Sequence, residues 1–179
     1  METAESPTTA APVRVPLSAG TRVNGYEIYG VLGRGAFALI YSAVDCESAR
    51  EVLIKECFPR GVAVRENGSA RVVAASDADA VAFTEAIEAI RREAGILSTL
   101  DAPDVSRLLA TIDANGTVYL VFERVEGPAL ADVLRHGGLG IDEAASLLLA
   151  MLDSSSYDDC PAERGFCARV YVVKSSKPC

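Results

Sequence analysis

The sequence predicts an α+β domain: a five-stranded antiparallel sheet with one helix packed on it, followed by two shorter helices. Three observations lead there. Apolar runs recur in the order of three strands, one long helix and two further strands. Glycine-containing turns join the runs in pairs. Helical patterning returns only after Gly127-Pro128.

Residues 1–20 are rich in Thr, Ala and Pro and lack periodicity, so they read as a flexible leader. Tyr26 to Leu32 and Leu39 to Val44 are the first two strands, separated by a glycine turn. Glu51 to Glu56 is the third, around the apolar Val52 to Ile54. Residues 57–79 pass through Pro59, Gly61, Asn67, Gly68 and the Asp77/Asp79 pair, and are expected to form a long, mostly irregular connection. From Ala80 to Leu100 the apolar residues Phe83, Ile87, Ile90, Ala94 and Leu97 return every three or four positions. That is one stripe of a helix, and Pro103 follows its end. Ser106–Asp113 and Thr117–Phe122 are the last two strands, with Asn115-Gly116 as the hairpin turn between them. After Gly127-Pro128, Ala129–Arg135 and Asp142–Leu152 are expected to be helical.

The totals exclude several classes. The chain is 50% hydrophobic and 23% charged, as globular domains are. A net charge of −8 offers no sequence-wide basic field for nucleic acid or an anionic membrane. No apolar run reaches the roughly 18 residues of a membrane span. Glu2 and Glu5, with no apolar segment behind them, do not make a secretory signal. Five cysteines lack ligand-like spacing, since Cys160 and Cys167 lie seven apart, and the single histidine completes no familiar zinc set. A reducing cytoplasm is the expected setting.

Composition shifts at residue 154. Before it the charge is 13 − 22 = −9; after it, 4 − 3 = +1, with no Leu or Ile and with three of the five cysteines. Both a natural extension and a replaced or frame-slipped C-terminus produce such a change. The expected division is a leader over 1–20, a first domain over 21–127, the first helices of a second over 128–153, and an atypical tail over 154–179.

Three features carry chemistry. Gly33-Arg34-Gly35-Ala36-Phe37-Ala38 lies between two strands, where missing Cβ atoms let backbone N–H groups approach phosphate oxygens. No helix follows directly, which excludes a dinucleotide-fold turn and a P-loop. Lys55 ends an apolar strand and is the only lysine in 153 residues that otherwise use arginine. A compact ammonium suits a phosphate contact in a tight site. Glu93 borders the apolar stripe of the long helix, one residue before Ala94, and is placed to hold Lys55 extended. Each also has a plain reading: a hairpin turn, a strand-end lysine and a surface carboxylate.

Taken in order with Tyr41, Ala102-Pro103-Asp104-Val105, Tyr119-Leu120-Val121-Phe122-Glu123 and Glu126-Gly127-Pro128-Ala129-Leu130, these features resemble one family. Residues 26–153 are similar to the start of a bacterial serine/threonine protein kinase of the eukaryotic-like type, the stretch Ile54-Lys55-Glu56-Cys57-Phe58-Pro59 resembling one bacterial subgroup. The resemblance implies a small lobe in which Gly33 and Gly35 cover ATP phosphates, and Lys55 contacts them while pairing with Glu93. It implies Phe122 as gatekeeper, the backbones of Glu123 and Val125 on the adenine edge, and Ile40 on its face. Two positions depart: Ala38 stands where the third glycine is usual, and Leu53 where the family has alanine against adenine. Missing altogether are an H-R-D-x-x-x-x-N loop and an Asp-Phe-Gly, the groups that orient the hydroxyl and hold magnesium.

The expectation is therefore a truncated kinase relative that binds ATP, takes Mg2+ only if a missing lobe is supplied, and is inactive alone. The alternatives are a non-catalytic nucleotide-binding or protein-interaction module, and an enzyme completed by another chain. The apolar faces of Ala129–Leu134 and Leu147–Leu152 are expected to attract a protein partner or a second copy.

Overall fold

Strands form where the apolar runs lie: Arg22–Val23 (β1), Tyr26–Arg34 (β2), Ala38–Asp45 (β3), Glu51–Cys57 (β4), Ala63–Arg65 (β5), Val72–Ala74 (β6), Leu108–Ala114 (β7) and Thr117–Glu123 (β8). One helix, Ala80–Thr99 (α1), follows a short 3₁₀ turn at Asp77–Asp79. This computed structural model describes residues 14–99, 106–125, 127, 134–138, 140–142 and 144–145. Among them no helix is long and apolar enough to cross a membrane.

The main sheet is antiparallel, in the order β1-β2-β3-β4-β8-β7. It has six strands where the sequence suggested five. The extra strand is the two-residue β1, too short to show a period. It turns into β2 through Asn24-Gly25, both at positive φ (44° and 90°), the same dipeptide chemistry that makes the β7–β8 turn at Asn115-Gly116. β8 (TVYLVFE) is buried at its first five positions because β4 and β7 flank it and both of its faces are covered. β-Branched and aromatic residues suit such a strand.

The helix packs as its stripe foretells. Phe83, Ala86, Ile90 and Ala94 are buried, while Ile87 and Leu97 pack partly buried against the core. Ala86, Ile90 and Ala94 meet Cys57, Val118 and Leu120 on one face of the sheet. The opposite face gathers Ile28, Leu39, Tyr41, Ile54, Phe58, Val72, Tyr119 and Val121. Each large side chain fully buried this way contributes about 1.5–3 kcal/mol.

Two expectations need refinement. The mostly irregular connection after β4 holds one unforeseen regular piece: β5 and β6 pair as a hairpin, Ala63↔Ala74 to Arg65↔Val72. Three-residue strands carry no readable period, and this pair is held by tertiary contact, with Val72 N–H donating to Asn115 O at 2.7 Å. Residues 14–20, placed in the leader, lie against the sheet. Leu17 is buried, its N–H donates to the Tyr41 hydroxyl at 3.2 Å, and Arg14 donates to Phe58 O at 2.8 Å. Of the two helices expected after the sheet, residues 134–136, 141–142 and 144–145 are helical. The rest of those helices, Ala102 to Val105, and the tail over 154–179 lie outside the described residues.

Candidate functional site

The site is built on β4, which lies between β3 and β8. Ile40 opposes Lys55, Ser42 opposes Leu53, Leu53 opposes Phe122 and Lys55 opposes Leu120. Opposed residues share a face, so Ile40, Leu53, Lys55 and Phe122 all stand on the side that receives α1. Glu93 comes from α1, between buried Ile90 and Ala94, and packing of those two aims it at the sheet.

Lys55 and Glu93 meet. The ammonium donates to both carboxylate oxygens at 2.7 Å. The two side chains are 6% and 19% exposed. Beside the pair is a cavity of about 220 Å³ lined by the Gly35–Ala38 loop, Ile40, Cys57 and the Ala86–Glu93 face of α1. Burial pushes the Cys57 thiol up to about 12, so it stays protonated and unreactive there.

The glycine loop folds back through Gly35 N–H to Ala38 O at 2.9 Å. Its tip is fastened from behind: Phe58 N–H donates to Phe37 O at 2.9 Å and Arg60 N–H to Ala36 O at 2.8 Å. A methyl added at Gly33 or Gly35 would meet only ordinary contacts, at 3.7 and 3.5 Å, and neither residue has a positive φ. The loop's own conformation does not demand glycine at either position.

The remaining expected residues are more scattered. Leu53, Phe122, Glu123 and Val125 do not line the cavity. Leu53, Phe122 and Val125 are half-buried, while Glu123 is exposed. The Glu123 N–H donates to Arg107 O at 2.9 Å, and its carbonyl accepts from the Ser106 hydroxyl at 2.8 Å, leaving one carbonyl lone pair.

Sequence reasoning passed over Glu56. It is fully buried on the face opposite Lys55, where Arg65 donates to both its oxygens at 2.8 and 2.7 Å. The hydroxyls of Tyr41 and Tyr119 donate to it at 2.6 and 2.9 Å. The signal was available: Glu56 stands two positions after Ile54 and four after Val52, on their apolar face, where a carboxylate requires partners. Leu32, 60% exposed and directly before Gly33, is another unassigned residue at the loop.

No family model matches the chain. Curated relatives do. The chain is 32% identical over 143 residues to calcium-dependent protein kinase 10 of Arabidopsis thaliana, covering 76% of this chain and 23% of the relative. It is 30% identical over 143 residues to the serine/threonine-protein kinase PLK4 of Aedes aegypti, covering 79% and 16%. Among solved structures, the apo form of PpkA-294 superposes with a TM-score of 0.65 at 25% identity, over 68% of this chain and 43% of that one.

The sheet and α1 form a kinase-like N-lobe. Rad53 1–466, solved with AMP-PNP, shares this N-lobe fold at a TM-score of 0.53 and 22% identity, over 74% and 30% of the two chains. The chain spans about a quarter of the length of the curated relatives it first matches. In this kinase-like N-lobe, β4 carries the lysine and α1 the glutamate, while His136 stands exposed in the 134–136 helical segment. Among the described residues no group of His, Cys, Asp and Glu is arranged to hold a metal ion.

Proposed function

We propose that the chain binds ATP or a related nucleotide between the Gly33–Ala38 loop, β4 and α1, as the nucleotide-binding half of a serine/threonine protein kinase. The observation that carries this is the Lys55–Glu93 pair. An ammonium has three donors, and Glu93 engages two of them, so a third is left for a phosphate oxygen. Bare backbone at Gly33 and Gly35, unexplained by the loop's own geometry, supports close approach of the same phosphates. Ile40, Leu53 and Phe122 share the face on which a base would stack, and Leu32 would add apolar cover at the loop.

Lys55 then orients and neutralises phosphate charge, and Glu93 keeps the ammonium extended. A bound magnesium ion would supply charge neutralisation for transfer. The 179 residues contain neither an H-R-D nor an Asp-Phe-Gly, so the chain is inactive by itself in this proposal. Exposed Leu134 and Ile141 support a partner face beyond the sheet. Cys46 and Cys57, both free thiols, are in keeping with a reducing cytoplasm.

A second reading, an interaction module without nucleotide, is favoured by Leu53 and Ala38, which occupy space that smaller residues would leave open. Calorimetry with ATP, with and without magnesium, separates the two. The nucleotide reading expects binding that Lys55→Met weakens at least about tenfold, or about 1.4 kcal/mol. It also expects Leu53→Ala to tighten binding, since it enlarges the base site. No heat for the parent chain and for Leu53→Ala alike would leave the interaction module.

A further inference from the structure

The back of the glycine loop collects positive charge that the cleft does not use. In the ladder Arg34 opposes Leu39, and Leu39 opposes Glu56, so the Arg34 side chain leaves on the face away from Lys55. Arg60 is fastened beside it by its own N–H, which donates to Ala36 O at 2.8 Å. Arg14 arrives from the N-terminal segment and donates through Nη1 to Phe58 O at 2.8 Å. Three separate stretches of chain thus bring a guanidinium to one place.

Among the described residues no carboxylate neutralises them. No ion pair among the described residues involves Arg14, Arg34 or Arg60. The Arg14 guanidinium is held below its ordinary range, first by its burial and then by the charges of Arg60 and Arg34. Arg65 offers the contrast: Glu56 meets its guanidinium with both oxygens. Arg14 is only 9% exposed, and among the described residues a carbonyl is the single acceptor it has. No buried side-chain nitrogen among the described residues lacks a partner, so the other donors of Arg14 open to the surface. A mostly covered cation beside two like charges is costly unless an anion joins them.

We propose that Arg14, Arg34 and Arg60 form a phosphoryl-anion site behind the glycine loop, on the opposite face of the sheet from the nucleotide cleft. The ligand is a tetrahedral phosphate dianion, free in solution or carried on a phosphorylated side chain. Planar guanidinium forks from three directions suit such a group better than a carboxylate, which has one plane. Its occupancy ties the N-terminal segment, the loop tip and the residues after β4 to one another.

The test titrates inorganic phosphate at pH 7.5 into the full chain, against sodium chloride at equal ionic strength, and follows the amide NMR signals of Ala36, Phe37 and Arg60. The expected result is a saturable shift that chloride does not reproduce, weakened at least threefold by Arg14→Gln, Arg34→Gln and Arg60→Gln, and retained in Lys55→Met. If Arg14→Gln fails to fold, the variants at exposed Arg34 and Arg60 decide the matter. A peptide of residues 1–13 phosphorylated at Thr9, compared with its unphosphorylated form, distinguishes the sources. Tighter binding than phosphate identifies a phosphorylated side chain, and equal binding identifies the free ion. A response equal to chloride, one unchanged in the arginine variants, or one lost only in Lys55→Met would overturn the proposal. Because Lys55→Met removes the cleft's phosphate contact, failure here and failure of nucleotide binding are read separately.

Discussion

Lys55 and Glu56 are consecutive in β4 and deliver opposite charges to opposite faces of the sheet. Glu93 of α1 receives the first, at 2.7 Å, and Arg65 of β5 receives the second, also at 2.7 Å. Both counter-charges come from the one connection between β4 and β7, so the hairpin and the helix are each stapled to the same strand end. Burial makes both pairs obligatory: a charge taken out of water is tolerated only while its partner stays.

The two halves of the cleft pair are not equally sheltered, and their removal should differ. Glu93→Ala strands an ammonium that is 6% exposed, whereas Lys55→Met leaves a carboxylate that is 19% exposed and able to turn toward water. Urea unfolding should show a loss of about 3 kcal/mol for Glu93→Ala and about 1 kcal/mol for Lys55→Met. Equal losses, or the reverse order, would contradict the observed burial.

On the other face, Arg65→Met leaves the fully buried Glu56 with tyrosine hydroxyls alone and also removes donors from Val15 O and Ala70 O. The expected cost is about 3–5 kcal/mol. Adding Glu56→Gln to Arg65→Met should recover about 1 kcal/mol or more, because the unpaired charge is then gone. Strict additivity of the two changes in a double-mutant cycle would show that the pair does not interact.

Gly116 is fixed by space as well as by backbone. Its φ is +71°, and an added Cβ would lie 2.6 Å from Val72 O. Gly116→Ala should therefore cost about 2–4 kcal/mol, well above the roughly 1 kcal/mol of an ordinary glycine position. Gly68→Ala in the β5–β6 loop, where a Cβ meets nothing within 4 Å, serves as the control for positive φ alone. Equal thermal shifts for the two would remove the steric argument.

Alkali should unfold the protein earlier than acid-base averages suggest. Burial first, and then the charge of Glu56, push the Tyr41 and Tyr119 hydroxyls up, while burial raises the Cys57 thiol to about 12. Each is an acid whose folded value exceeds its unfolded one, about 8.5 for a thiol and about 10 for a tyrosine. Their contribution is complete below those values and drains away as pH climbs toward 12. The urea midpoint should fall from about pH 9 upward. Ultraviolet titration should show Tyr41 and Tyr119 ionising only with unfolding. Reversible ionisation of Tyr41 and Tyr119 in the folded state is the outcome that would refute this.

Much of the arrangement could be read from local pattern. The three- and four-residue spacing from Phe83 to Leu97 gave the helix and the face it buries, and Asn115-Gly116 gave its hairpin. The lysine after Val52-Leu53-Ile54, the only one before residue 154, and the glutamate beside Ala94 pointed at each other across 38 residues of separation. What escaped was short or long-range. β1 has two residues, β5 and β6 three each, and no period can be seen in so few. The role of Glu56 depends on Arg65, Tyr41 and Tyr119 meeting at one point, and sequence spacing does not encode such a convergence. Leu17 looked like part of a tail because the partner that buries it, the far side of the sheet, is assembled only by the fold.

That convergence also bears on how relatives of this chain can drift. Glu56 draws hydrogen bonds from β3, β5 and β8 at once, so no one of the four side chains can be exchanged without stranding the others. Descendants should keep Tyr41, Glu56, Arg65 and Tyr119 together, or lose all four along with the small hairpin, and mixed intermediates should be scarce.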